Sequence, residues 1–312
     1  MLRTYLRLIR FAAQISAAAM VFALGSAHAQ ELEPRTYSPS PTGTNFALIG
    51  VVYQTGSVLT DPTSPVQNVD AEATSSVVGY MHTFGLFGQS ASFGIAVPYV
   101  WLDASGDVGE SRRAVSRTGF GDPRLRFYLG LINSPALTPQ EFAHREDTFA
   151  LGTSLTVVPP LGEYDSSKLV NIGSNRWSFK PEVGATYPIG NLFTELIGGV
   201  WLFTDNDDYF GGNEREQDPL WSLQAHLGYT FRPGVWLAVD YTWYTGGESS
   251  LNGQRQGDMQ SNTRYGVTFS FPLTRDISLK AAWADGMATR VGGDFETYSL
   301  YLQYRWFDSP AR

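Results

Sequence analysis

The chain has 312 residues, with 22 basic and 30 acidic side chains, a formal net charge of −8, no cysteine and 14% aromatic residues. An acidic balance argues against nucleic acid as a partner, because phosphates call for basic patches. The lack of cysteine excludes disulfides, thiol chemistry and Cys-ligated metals.

Arg3, Arg7 and Arg10 precede an apolar run from Phe11 to Leu24 and the small-residue site Ala27-His28-Ala29. Residues 1–29 therefore read as a signal peptide; the run is shorter than the roughly 20 residues of a membrane-anchoring helix. Residues 30–43 are rich in Pro and Ser and read as an irregular N-terminal segment; this segment or 132–146 is a candidate plug. No later stretch is apolar for 18 residues, so spanning helices are not expected.

Twelve strand-like segments follow, near 44–54, 74–84, 91–102, 120–131, 147–158, 176–187, 192–203, 220–232, 235–245, 262–271, 276–285 and 295–306. Each is about ten residues long, the length a tilted strand needs to cross a bilayer. In "GDPRLRFYLG", Leu125, Phe127 and Leu129 alternate with Arg124, Arg126 and Tyr128. The eighth segment sets Trp221, Leu223, Leu227, Tyr229 and Phe231 against Ser222, Gln224, His226 and Arg232. The tenth and twelfth alternate as cleanly, whereas the faces of the first, second and seventh are not assignable. Sustained period-two patterning marks strands with one apolar face.

Long polar connections alternate with tight turns such as "PIGN" and "RPG"; only "INSPALTPQEFAHRE" (132–146) breaks the rhythm. Aromatic residues cluster at segment ends: Tyr99, Trp101, Trp177, Trp221, Tyr241, Trp243, Tyr304 and Trp306. Such girdles mark the two membrane interfaces. The expected fold is all-β, an antiparallel up-and-down transmembrane barrel of about twelve strands over residues 44–307. Both termini are then periplasmic, and 308–312 form a short tail. The expected location is the outer membrane of a Gram-negative bacterium, with outer-membrane lipid, lipopolysaccharide and the barrel-assembly machinery as partners.

"GFGDPRLRFYLG" (119–130), "VPPLGEYDSSKLVNIGSNRWSFKPEVG" (158–184), "QDPLWSLQAHLGYTF", "WLAVDYTWYTGG" and "GMATRVGGDF" together resemble the outer-membrane family named after the MetA pathway of phenol degradation. The likeness spans most of residues 119–306. It implies a barrel that passes small aromatic or hydrophobic compounds. One departure is the tail Asp308–Arg312, which follows Phe307 where barrels usually end on an aromatic.

With apolar faces toward lipid, the inward set comprises Asp122, Arg124, Arg126, Lys180, Glu182, His226, Asp240, Arg264, Lys280 and Arg305. Arg or Lys facing lipid near the midplane would cost about 2–4 kcal/mol each. These charges either brace the interior or select solutes. Twelve strands fall between the filled eight-stranded barrel and the open sixteen-stranded one, so a narrow or plugged lumen is expected. Of the mature chain's His82, His144 and His226, none lies in a nucleophile motif, so no enzyme is expected. "DNDDYFGGNERE" (205–216) carries Tyr209 and Phe210 where a calcium loop needs a ligand and glycine, so no metal or cofactor is expected. The expected function is passive uptake of small organic solutes. The alternative is a structural or adhesive barrel that transports nothing, with an outer-membrane hydrolase third and a soluble sandwich last.

Overall fold

The computed structural model describes residues 33–60 and 66–308; the signal peptide read over 1–29 and the tail after Asp308 lie outside these residues. The wall strands are β1 (Thr44–Leu59), β2 (Val66–Leu86), β3 (Gln89–Val108), β4 (Ser111–Phe120), β5 (Arg124–Ile132), β6 (Ala150–Val158), β7 (Ser178–Ile189) and β8 (Leu192–Phe203). They continue as β11 (Leu220–Arg232), β12 (Val235–Gly246), β15 (Gln260–Pro272), β16 (Ile277–Ala288) and β17 (Gly292–Phe307). Between them lie four short strands: β9 (Asn206–Tyr209), β10 (Asn213–Gln217), β13 (Ser249–Leu251) and β14 (Gln254–Arg255).

All neighbouring wall strands are antiparallel, and β17 returns to β1 in a register running from Thr44–Phe307 to Leu59–Gly292. The sheet is therefore closed and has no free edge to aggregate. β4 and β5 both pair with β3, over Tyr99–Val108 and Ala91–Ala96 respectively, so they act as one wall strand broken at Gly121–Pro123. Pro123 has no N–H to continue the ladder. Gly121 bridges the break by donating its N–H to the Pro98 carbonyl at 2.9 Å. Counted this way, the barrel has twelve wall strands.

Burial runs opposite to that of a protein in water. On β11, Trp221 is 58% exposed while His226 is 3% exposed, and Leu223, Leu227, Tyr229 and Phe231 face outward with Trp221. Ser222, Gln224 and His226 face inward. An apolar belt continuous around a closed sheet cannot remain in water, so lipid covers it. On β5, Arg126 and Tyr128 contact interior residues, and Phe127 meets Phe84 outside. β8 explains why its faces resist assignment by alternation: Leu196 and Leu202 face out, yet Phe193, Ile197 and Trp201 are buried inside beside Glu195. Among the described residues, no helix is long and apolar enough to cross a membrane.

Both ends depart from the ten-residue expectation. β1, β2 and β3 have 16, 21 and 20 residues, so much of the polar sequence read as connections is extended strand. The β9–β10 and β13–β14 hairpins join into a separate four-stranded sheet at the long-loop end. At the other end, Phe87 and Gly88 form a two-residue turn with positive φ at both, the geometry that matches strand twist. The 132–149 connection lies at this short-turn end and carries a single helical turn, α1 (Pro139–Phe142). Thr138 and Glu141 close that turn with a capping box.

Candidate functional site

The barrel interior divides into two regions. Near the short-turn end, the segment from Glu33 to Gly43 lies against the inner faces of the wall. Tyr37 is completely buried; its N–H donates to Glu195 Oε1 at 2.7 Å, and its hydroxyl bonds Ser154 Oγ at 2.8 Å. The ring occupies the space above Gly184, where a Cβ would stand 2.3 Å from it, so only glycine admits this contact. Burial, with the Glu182 charge adding, pushes the phenol up to about 12, so it remains a neutral hydrogen-bonding group. Arg35 donates to Thr230 Oγ1 at 2.6 Å and lies 4.3 Å over the Phe193 ring. The Lys280 charge, followed by Arg126, Arg124 and Lys180, holds the Glu33 carboxyl below the usual carboxylate range.

The wall answers this segment with paired charge. Lys180 Nζ lies 2.9 Å from Glu182 Oε1, and Arg126 lies 3.6 Å from Glu182 Oε2 while donating to Ser154 at 3.1 Å. The Arg126 guanidinium also stands 5.5 Å over the Tyr37 ring. One register row carries Glu195, His226 and Asp240 on adjacent strands. His226 Nδ1 and Asp240 Oδ1 are 2.7 Å apart, and Thr268 donates to Asp240 Oδ2 at 2.6 Å. The hydroxyl thus sits on the carboxylate, away from the imidazole, which is the wrong order for an activated nucleophile. Among the described residues, no three His, Asp or Glu side chains are grouped to hold a metal.

The second region lies nearer the long loops. Arg176, Ser178 and Lys180 share one face at the start of β7, opposite Trp201 and Phe203 of β8. Arg176 lies 4.3 Å over Phe203, Lys180 lies 5.3 Å over Trp201, and the two rings stack at 6.4 Å with 9° between their planes. Val158, Leu220 and Tyr244 pack against the same rings. The loops above are knit together. Asp122 accepts from Gly162 N, Ser174 N and Ser174 Oγ at 2.7, 2.8 and 2.6 Å. Asn206 donates to Tyr164 and to the Ser174 carbonyl, while Tyr209 packs on Leu251. Hydrogen bonds from Ser167 and Lys168 hold the Asp165 carboxyl down at about 2.

Of the residues expected inside, Lys180, Glu182, His226, Asp240 and Arg264 are buried in the interior. Arg126 and Lys280 are half-buried there, with Lys280 5.6 Å over the Tyr301 ring; Arg124 is half-buried within reach of Glu33. Asp122 instead clamps the 162–174 loop beside the break in the wall. Arg305 is exposed at the short-turn rim and donates to the Arg275 carbonyl at 2.9 Å. Trp101, Trp177, Trp221, Tyr241, Trp243 and Tyr304 are exposed on the outer surface; Tyr99 and Trp306 are partly covered by Trp101 and Tyr304. Sequence reasoning missed Tyr37, Arg176, Phe193, Glu195, Trp201 and Phe203. Glu195 offered a signal for four of them. A single carboxylate within "LFTELIGGVWLF" must face away from lipid, and that parity carries Phe193, Trp201 and Phe203 inward with it.

A family model described as "Putative MetA-pathway of phenol degradation" matches residues 39–304. No curated protein sequence matches the chain. Among solved structures, an outer membrane channel from Pseudomonas putida F1 is similar at 21% identity and a TM-score of 0.77, over 88% of this chain and all of that one. The transport unit of the autotransporter AIDA-I from Escherichia coli is similar at 10% identity and a TM-score of 0.52, over 95% and 99% of the two chains. Likeness at these identities concerns the closed-barrel fold.

Proposed function

This chain belongs to the MetA-pathway phenol-degradation family, and on that premise we propose that it is an outer-membrane channel for passive entry of small organic solutes, aromatic ones above all. The carrying observation is the interior of β8, where Phe193, Trp201 and Phe203 replace the polar residues that line a water-filled pore. Flat apolar rings beside buried cations offer stacking and cation–π contacts to an aromatic solute. The inward charges divide by role. Lys180, Glu182, Arg126, His226 and Asp240 hold the wall together, and Arg264 faces the solute. The segment 33–43 narrows the lumen from the periplasmic side, and the knit loops cover it from outside.

Residues 1–29 direct export, and the aromatic girdle anchors the barrel between lipopolysaccharide and the inner leaflet after the assembly machinery inserts it. The test is uptake by liposomes containing the purified full-length protein. Phenol entry well above that of protein-free vesicles is expected, with heat-modifiable gel migration verifying the fold. Entry equal to that of protein-free vesicles would reject the channel and leave a structural barrel.

A further inference from the structure

Arg176 is a buried cation without a counter-ion. It is 3% exposed, and among the described residues it forms no ion pair. One nitrogen, Nη2, donates to the neutral amide oxygen of Gln217, and Nη1 has no partner. Burial, with Arg215 adding, pulls the guanidinium down to about 9, against weaker opposition from Tyr209, Asp122 and Asp205. It therefore carries its charge at neutral pH in a place that does not compensate it. Leaving a buried charge uncompensated is among the most destabilising arrangements a protein can keep. Two residues along the same face, the completely buried Ser178 hydroxyl also lacks a partner. Its partner across the strands is Phe203, the ring beneath Arg176.

The geometry points to a binding site for small aromatic monocarboxylates, formed by Arg176 and Ser178 over the stacked Phe203 and Trp201 rings. This inference rests on the channel reading and names the solute class that the channel favours. A carboxylate takes both outer nitrogens of a guanidinium in parallel hydrogen bonds. Gln217 Oε1 holds one of those two places in the free protein and gives way when the solute enters. The serine hydroxyl donates to the same carboxylate, and the attached ring lies against the half-buried Phe203. A neutral phenol leaves the charge uncompensated, and an aliphatic acid adds no ring contact, so the site favours the solute with both parts. Lys180 beyond Trp201 is already matched by Glu182 and does not compete for the anion. Arg264, also buried without an ion pair, has Nε and Nη1 unpartnered and extends the positive path across the lumen.

Calorimetry on the detergent-folded full-length protein, with benzoate, benzamide and acetate as probes, tests the site directly. Benzoate should bind at least tenfold more tightly than either of the others. Equal binding of benzoate and benzamide, or no binding of benzoate, overturns the proposal. In liposomes, Arg176→Gln should lower the ratio of benzoate to phenol entry about tenfold, with Arg176→Lys between. An unchanged ratio through folded Arg176→Gln also overturns it. Phenol entry without benzoate binding removes the carboxylate site and keeps the channel. Benzoate binding without entry of any solute keeps the site and removes the channel. The probe series on the wild-type protein stands even where Arg176→Gln fails to fold.

Discussion

The two regions of the lumen are built from the same residue types, arranged to opposite effect. Around the N-terminal segment, Lys180, Glu182, Arg126, Tyr37 and Glu195 meet one another at hydrogen-bonding or ion-pair distance, and that segment supplies several of the partners. Toward the loops, Arg176 and Arg264 are as deeply buried, yet each makes hydrogen bonds only to neutral oxygens. A charge inside a barrel is thus not one kind of residue. Where a carboxylate answers it, the pair fixes the wall. Where none does, the cation is held ready for an anion that the protein does not provide.

The largest effect should come from removing the segment that separates these regions from the periplasm. Deleting residues 33–43 takes away Tyr37 and Arg35, and single-channel conductance in planar bilayers should rise several-fold. Unchanged conductance would mean that the segment does not limit the path and would blur the distinction between the two regions. A smaller effect compares one cation from each. Lys180→Met leaves the buried Glu182 with the longer Arg126 ion pair and neutral hydrogen bonds from Ser154 and Gln224, and should destabilise the barrel by about 3 kcal/mol in urea unfolding. Arg264→Met orphans no carboxylate and gives up two hydrogen bonds, to the Phe295 carbonyl and Thr297. Its cost should stay within about 1 kcal/mol, because removing a desolvated charge offsets those bonds. Equal losses for the two variants would contradict the comparison.

Much of the wall was legible because lipid imposes a strict rule. Every clean alternation, such as that from Trp221 to Arg232, follows from the absence of water on one side, and the rule fails where both sides are apolar. β8 is the case in point: its interior rings erase the contrast, so the strand with the most chemistry reads least clearly. The strand extensions of β2 and β3 were hidden for the reverse reason, since residues above the bilayer are polar on both faces. The β13–β14 hairpin left a usable sign in Asn252-Gly253, whose positive φ angles of 49° and 75° give the turn that this dipeptide favours. The seat of Tyr37 left none. An irregular Pro- and Ser-rich segment does not reveal which wall glycine will receive its ring, because that depends on closure of the whole sheet.

Gly184 offers a finer separation of the two regions. Gly184→Val places a side chain where the Tyr37 ring lies, without altering any charge. Conductance should rise by less than in the deletion, while the preference of benzoate over benzamide, set by Arg176 and Ser178, stays unchanged. Loss of that preference would show the two regions to be mechanically coupled.

The smallest effect concerns pH at the loops. The folded Asp165 carboxyl lies at about 2, below its ordinary 3.8, because Ser167 and Lys168 bond its charged form. Its contribution to loop order is therefore complete above the ordinary value and lost as pH falls through about 2. Acidification from pH 7 to 4 should leave protease access to residues 163–173 unchanged, and exposure near pH 2 should increase it. Opening of the loops already at pH 4 would mean that the Asp165 carboxylate is not held as these contacts require.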